Sequence, residues 1–268
     1  MSDRIFHPAA ALLTITFGLF VGLPVLALFG RALLGGSLGA ALTSAAVIDA
    51  LRLSLVTTAV SLVIAVLLGT PVALLLARRR FRGQALLETL VDLPIVLPPA
   101  VAGLALLFVF GRRGLLGGGL ELLGVVIPFT TLAVVLAQVF VAAPFYVRAA
   151  RSGFASIDRD LEDAARVDGA ADAAVLRHVT IPLAASSLAA GLVLSWARAL
   201  GEFGATIMFA GNIAGRTQTL PLLVYSEFQL DLETSIAAAT VLIIAAAAVL
   251  LTVRLLHWRS VLDVRLPG

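Results

Sequence analysis

LSLVTTAVSLVIAVLLGTPVALLLA, residues 53–77, carries no charged side chain from its first position to its last. An α-helix rises about 1.5 Å per residue, so a run of this length crosses the roughly 30 Å hydrocarbon core of a bilayer. Because the core offers no water to backbone polar groups, such a run must be a helix that satisfies them internally. The run therefore predicts an all-α membrane protein.

Five further runs are long enough to cross a bilayer as helices. They cover residues 8–30, 93–111, 122–147, 183–209 and 234–253. The composition agrees, because 60% of the residues are hydrophobic and 13% are charged, whereas soluble domains are about 25% charged. We predict a single transmembrane domain over residues 1–268. Its first run is expected to be retained as a span, because no signal-type cleavage site follows it.

The basic residues determine the predicted orientation. All 19 are arginine, and the chain has no lysine. With the N-terminus in the cytoplasm, 13 arginines fall in cytoplasmic segments and 5 fall outside, as the positive-inside rule requires. The outer set is Arg31, Arg52, Arg112, Arg113 and Arg216. Both termini are therefore predicted to be cytoplasmic.

A compact polar loop, residues 158–182, interrupts the apolar sequence. Nine of the 35 charged residues (19 basic and 16 acidic) lie between Asp158 and Arg177. The arginine count assigns this loop to the cytoplasm. A membrane protein with such a loop is expected to present it to a partner.

Two short helices are predicted within the polar loop. Asp160 is a candidate N-cap for a helix over residues 161–167. Gly169 suits the end of that helix because glycine tolerates positive φ. A second helix over residues 170–178 is expected to stop before Pro182, which begins or kinks the next span. On spacing alone, an ordinary solvated loop with one helical turn is an equal alternative.

The residue types that are missing exclude several kinds of chemistry. A P-loop needs a lysine that reaches the phosphates, so a chain without lysine has no such ATP site. The absence of cysteine excludes disulfides and thiol catalysis. His7, His178 and His257 show no metal-ligand spacing. We predict no catalytic residue, no metal site and no cofactor in this chain.

The polar loop resembles the cytoplasmic motif of binding-protein-dependent ABC importer permeases. That motif reads Glu-Ala-Ala, three residues, Gly, nine residues, Ile, one residue, Leu-Pro. The matching positions here are Asp163-Ala164-Ala165, Gly169, Val179 and Ile181-Pro182, with every spacing kept. Asp stands for Glu, Val for Ile and Ile for Leu.

Three other segments extend the resemblance to the molybdate and sulfate branch of these permeases. They are LPIVLPP at residues 93–99, ARALGEFGA at residues 197–205, and TQTLP at residues 217–221. The last, followed by Tyr225, is most similar to the molybdate members. The resemblance covers nearly the whole chain and implies a type I-like permease fold of six transmembrane helices with a cytoplasmic coupling helix.

The resemblance also implies a function and a set of partners. The coupling helix would sit in a groove on a separate ATPase subunit. The implied coupling residues are Asp163, Ala164, Ala165, Arg166, Gly169 and Pro182. The permease would work in the bacterial inner membrane as a homodimer with two ATPase subunits, which bind ATP and Mg²⁺, and with an extracytoplasmic oxyanion-binding protein. The lipid bilayer surrounds it, and no nucleic acid is expected. Molybdate is the expected substrate, with sulfate, thiosulfate or tungstate as alternatives.

Charges and prolines within the spans are candidates for the translocation pathway. Arg198 and Glu202 lie four residues apart, where they form either a neutralising i,i+4 ion pair or a charged lining of the pathway. Pro98 and Pro99, near Pro94, predict a kink or an unwound turn, which serves either packing or a gate.

A transporter driven by an ion gradient is the rival from another class. It would contain inverted repeats and broken helices around a central site. No repeat is evident in the sequence, and this rival leaves the spacing of the polar loop unexplained. A channel or a purely structural membrane protein explains still less.

Overall fold

The computed structural model describes residues 8–36, 39 and 43–263. Within them every regular element is helical. In chain order the helices are α1 (Pro8–Leu34), α2 (Ala45–Arg78), α3 (Gln84–Val96), α4 (Pro99–Phe110), α5 (Gly117–Leu122), α6 (Thr131–Ala155), α7 (Arg159–Val167), α8 (Asp172–Val175), α9 (Ile181–Leu200), α10 (Gly204–Phe209), α11 (Leu220–Leu230) and α12 (Leu232–Asp263). A π-helical turn, Leu176–Thr180, joins α8 to α9. Arg4, His7 and Arg265 lie outside the described residues.

Five helical segments are long and apolar enough to cross a membrane, counted over the residues just given: α1, α2, α6, the continuous α8–α9 segment and α12. Helices α3 and α4 together form a sixth candidate span, bent by 119° between its halves. The predicted all-α polytopic fold is confirmed. The α3–α4 span is not straight.

The span predicted over residues 93–111 is divided, because the helix breaks at Leu97 and Pro98. Both residues are extended, with ψ of 133° and 132°. Each of them precedes a proline, and that position disfavours the α conformation. Helix α4 restarts at Pro99, where the missing N–H is tolerated. The kink predicted for this proline cluster is therefore confirmed, although Pro94 lies within α3 without ending it.

The fourth predicted span, residues 122–147, starts too early. Helix α6 begins at Thr131, because the hydroxyl of Thr130 accepts a hydrogen bond from the N–H of Ala133 at 3.3 Å. Just before this cap, Phe129 has a φ of 62°, a left-handed conformation that no helix interior adopts. The helix then continues past the predicted end to Ala155.

The fifth predicted span, residues 183–209, has the wrong bounds. The helical span begins earlier and ends earlier, at Asp172 and Leu200. Helix α9 ends at Leu200, and α10 starts at Gly204. Between them, Glu202 Oε1 accepts a hydrogen bond from the N–H of Ala205 at 2.7 Å. This bond satisfies one of the free donors at the start of α10, so the span is broken and Glu202 lies beyond the helix that carries Arg198.

Helices α2, α6 and α9 pack against one another through small residues. A Cβ added to Gly191 would lie 2.8 Å from the Cβ of Ala149, and one added to Gly153 would lie 2.5 Å from the Cβ of Ser187. Small residues allow helix backbones to approach closely in a membrane. The hydroxyl of Ser195 also donates to the carbonyl of Ala142 at 2.9 Å. These contacts fix α9 against α6.

Helix α6 has 25 residues and separates the two ends of the molecule by about 37 Å. At one end, here called the loop end, Arg148 pairs with Asp92 at 3.3 Å and Arg151 pairs with Glu88 at 2.8 Å. At the other, the far end, the hydroxyl of Thr131 donates to the carbonyl of Arg216 at 2.9 Å.

The arginines placed so far follow the two predicted groups, with Arg148 and Arg151 at the loop end and Arg216 at the far end. Arg159 joins the loop-end group, since its guanidinium donates to the carbonyl of Arg78 at 3.1 Å. Arg112 joins Arg216, because both line one cavity at the far end. Which end faces the cytoplasm stays a prediction.

Candidate functional site

The first half of the polar loop forms α7, a helix of 9 residues. Its N-cap is Asp158, whose carboxylate accepts a hydrogen bond from the N–H of Asp160 at 3.1 Å. The prediction of Asp160 as the cap is therefore wrong by two residues. Asp160 instead lies in the first turn with Glu162, where carboxylates interact favourably with the positive end of the helix dipole.

Helix α7 ends at Val167, and Gly169 follows its C-cap, Asp168, in the terminating role predicted for it. This glycine has a φ of +92°, and the space where a Cβ would stand is open. The N–H of Gly169 bonds to the carbonyl of Arg166, and the N–H of Ala170 bonds to the carbonyl of Ala165, both at 3.0 Å. These are the two bonds of a Schellman motif. The glycine is required by its backbone conformation, which other residues adopt only with strain.

Glu162 anchors α7 to the transmembrane helices. Its Oε1 lies 2.6 Å from Nη2 of Arg78, at the end of α2, and accepts a hydrogen bond from the hydroxyl of Thr180 at 2.6 Å. The Glu162 side chain is 8% exposed and that of Arg78 is 16% exposed. Charge-assisted bonds of this length in a largely dry site are strong. They connect α7, α2 and the π-helical turn into one unit.

Arg166 forms a second set of ion pairs, on the solvated side of α7. Its Nη1 lies 2.7 Å from Asp163 Oδ1, and its Nε lies 3.0 Å from Asp172 Oδ1. The hydrogen bond to Asp172, followed by that to Asp163, raises the pKa of the Arg166 guanidinium above its ordinary value. Arg166 therefore joins α7 to α8 and stays charged over the physiological range of pH.

The remaining face of α7 is exposed and consists of small or apolar side chains. Leu161 is 51% exposed and Val167 is 87% exposed. Ala164, between them, is exposed, and Ala165 is half-buried. Apolar side chains left open beside a rim of charge are typical of a surface that binds another protein.

The second half of the polar loop differs from the prediction. Helix α8 covers only Asp172–Val175 and continues through the π-helical turn into α9, where the N–H of Ile181 bonds to the carbonyl of Leu176. The expected separate helix over residues 170–178 is therefore wrong. Pro182 lies exposed in the first turn of α9, where its missing N–H is tolerated.

At the far end of α9, the predicted charge pair is present. Arg198 Nη1 lies 2.6 Å from Glu202 Oε2. The Glu202 side chain is fully buried, and that of Arg198 is 27% exposed. The ion pair is thus present, and its contact alone does not decide between the two predicted roles. A role of either residue in the translocation pathway stays a prediction.

The breaks in two spans lie side by side. A Cβ added to Gly204, at the start of α10, would lie 2.7 Å from the Cβ of Pro99, at the start of α4. One added to Gly103 would lie 2.5 Å from the carbonyl oxygen of Ala205. The fold thus brings Pro99 close to the break at residues 201–203, which contains Glu202. Pro98, the residue before Pro99, is exposed.

The residues that hold the polar loop in place were not predicted from the sequence. Arg78 entered the prediction of orientation alone, and Glu162 and Thr180 had no predicted role. The loop contains several carboxylates at similar spacing, so the sequence does not reveal which one is buried. The available signal in the sequence was Arg78 at the very end of a predicted span, since such an arginine can pair with an acidic residue of the polar loop.

The chain matches the family model described as "Binding-protein-dependent transport system inner membrane component" over residues 69–260. It belongs to this family. Among curated proteins, it is 47% identical over 204 residues to the molybdenum transport system permease protein ModB of Mycobacterium tuberculosis, covering 76% of this chain and 77% of that protein. It is 41% identical over 210 residues to the probable transport system permease protein NifC of Clostridium pasteurianum, covering 78% and 73%.

Among solved structures, the fold is similar to a chain of a bacterial ABC transporter involved in the import of the acidic polysaccharide alginate. The TM-score is 0.75 at 18% identity, and the match covers 94% of both chains. At this identity the likeness concerns the fold alone.

Proposed function

We propose that this protein is the membrane-spanning permease of an ABC importer that carries an oxyanion into the bacterial cytoplasm. The observation that carries the proposal is the construction of the polar loop. Glu162 fixes α7 to the transmembrane helices at 2.6 Å from Arg78, while the opposite face of α7 stays open. A helix held rigidly on one side and exposed on the other is suited to receive force from a partner.

In this proposal, α7 is the coupling helix that docks on the ATPase. Ala164 and Ala165 allow close approach of the partner's backbone, and Asp163 and Arg166 hold its register. Gly169 ends the helix so that the chain can return to the membrane. Pro182 is proposed to act indirectly and not by contact with the ATPase. It lies in the first turn of α9 and so sets the direction in which a displacement of α7 is transmitted.

The proposed assembly has two copies of this chain. Each chain offers one coupling helix and two ATPase sites need two, so a cyclic dimer is the simplest arrangement. ATP and Mg²⁺ are proposed to bind to the two ATPase subunits and not to this chain. An extracytoplasmic binding protein delivers the anion to the far end, and both termini lie in the cytoplasm.

Molybdate is the proposed substrate. The supporting observation is the 47% identity, over about three quarters of both chains, to a protein named as a molybdenum transport permease. Tungstate, sulfate and thiosulfate are tetrahedral oxyanions of similar charge and are the alternatives. Copurification as a homodimer with one kind of ATPase favours molybdate or tungstate, since sulfate permeases commonly pair two different chains.

The experiment that tests the proposal is uptake into vesicles that contain the permease with its ATPase and binding protein. We expect molybdate to accumulate only with internal ATP and external binding protein. Uptake that continues without the ATPase and stops when the proton gradient is dissipated would instead establish a secondary transporter.

Arg198 is proposed to offer positive potential to the anion in the pathway, with Glu202 limiting how tightly the anion is held. Arg198→Ala should lower the rate of uptake in these vesicles. If uptake and coupled ATP hydrolysis stay normal, Arg198 and Glu202 are a structural pair. Pro98 and Pro99 are proposed to shape the same part of the pathway.

A further inference from the structure

The far end of the molecule contains a cavity of about 610 Å³ between α4 and the start of α6. Two arginines, Arg112 and Arg216, line it together with Leu107, Pro128, Phe129 and Thr130. No carboxylate is among the lining residues. Neither guanidinium forms an ion pair with any residue that the structure describes.

The wall that carries these arginines is fixed by the fold. The hydroxyl of Thr131 donates to the carbonyl of Arg216 at 2.9 Å, which ties the loop after α10 to the start of α6. Phe129 keeps its left-handed backbone, and its N–H bonds to the carbonyl of Phe209 at 3.3 Å. Strained residues of this kind persist where the surrounding structure enforces them, and they are frequent at ligand sites.

We propose that this arginine cavity is a staging site for a tetrahedral oxyanion dianion before it enters the transmembrane region. The proposal rests on the proposed function and adds the place of first contact. Guanidinium groups match the oxygens of such anions in a planar fork. Two positive charges in a cavity whose lining contains no carboxylate attract an anion and raise its local concentration.

The size of the cavity defines the kind of binding. A volume of 610 Å³ corresponds to about 20 water molecules at about 30 Å³ each. The anion therefore keeps much of its hydration shell, and binding is weak and fast rather than cage-like. Because the arginines are exposed, their attraction is screened beyond about 8 Å at physiological salt. The cavity lies about 37 Å from the loop end, by the length of α6, so an anion there does not touch the coupling helix.

The direct test is chemical modification of the assembled transporter with phenylglyoxal, an arginine reagent, followed by mass spectrometry of the peptides. We expect molybdate at millimolar concentration to slow the modification of Arg112 and Arg216 several-fold. Sodium chloride at equal ionic strength should not do so. Arg113 is the internal control, because it is the adjacent exposed arginine and does not line the cavity. Equal modification rates with and without molybdate, or equal protection of Arg113, would overturn the proposal.

A second arm separates an anion site from a docking surface for the binding protein. The double variant Arg112→Gln with Arg216→Gln is compared with Arg113→Gln. We expect the double variant to bind the loaded binding protein as tightly as the wild type, but to import molybdate several-fold more slowly at low salt. Loss of affinity for the binding protein would show that the arginines contact a protein instead. Wild-type uptake of molybdate without any protection of the two arginines would reject the staging site and leave the proposed function intact.

Discussion

Arg78 and Glu162 join the second transmembrane helix to the short helix of the polar loop through a contact of 2.6 Å. The two residues are 84 positions apart in the sequence. Because both side chains are largely buried, this pair differs in kind from the exposed pairs around Arg166. The pair is positioned to carry motion of the polar loop into the membrane.

Glu162→Leu should destabilise the protein. Removing one partner leaves the charge of Arg78 buried and unpaired, which costs about 3 kcal/mol or more. The measurement is the thermal unfolding of the solubilised protein. We also expect the stimulation of the ATPase by the loaded binding protein to fall, because α7 is no longer fixed to α2.

The matched control for this substitution is Arg78→Leu combined with Glu162→Leu. Replacing both members of a buried pair with apolar residues is often neutral, and Thr180 keeps an alternative acceptor at the carbonyl of Val175, 3.5 Å away. Stability should recover in the double variant, while coupling should not. A double variant as unstable as the single one would mean that packing, and not the unpaired charge, is responsible.

Gly169→Ala should weaken copurification with the ATPase. Gly169 has a φ of +92° and Gly83 a φ of +89°, and a Cβ would meet no atom within 4 Å at either position. An alanine in the left-handed region costs about 1–2 kcal/mol, so Gly83→Ala controls for strain outside the polar loop. We expect similar losses of thermal stability in both variants and a loss of ATPase binding only in Gly169→Ala. Equal binding by both would remove Gly169 from the docking surface.

Arg166→Met should lower ATPase docking with little change in thermal unfolding. Its ion pairs with Asp163 and Asp172 are exposed to solvent, and such pairs contribute little to stability. Because the two carboxylates raise the pKa of Arg166, its charge is constant at all pH values at which the transporter works. ATPase docking should therefore show no pH dependence from this residue. Arg177→Met, also in the polar loop and exposed, is the control and should dock normally.

Gly204→Ala should destabilise the region where α4 meets α10. The new Cβ would lie 2.7 Å from the Cβ of Pro99, and overpacking of this kind costs about 1–3 kcal/mol. Gly201→Ala is the control, since its Cβ would lie 3.5 Å from the carbonyl of Ala197, an ordinary contact. Thermal unfolding and vesicle uptake should both distinguish the two variants. If both variants unfold at the same temperature and support the same uptake, α4 and α10 can move apart without loss of stability or activity.

Much of the fold could be predicted from the sequence, because lipid imposes strict rules on apolar helices. A charge-free run of about 20 residues predicts a membrane-spanning helix. The runs at residues 53–77 and 234–253 indeed lie within α2 and α12. The tolerance of glycine for positive φ also predicted that α7 terminates at Gly169, which follows its C-cap. These features depend on local chemistry alone.

The sequence by itself determined the all-helical membrane fold, the division of the arginines and the position of the polar loop, since each follows from neighbouring residues. Only the tertiary structure decided that Glu162, and no other carboxylate of the loop, is buried against Arg78. It also decided that Arg112 and Arg216 line the same cavity. Each of these depends on which surfaces face one another after packing, and a linear pattern does not contain that information.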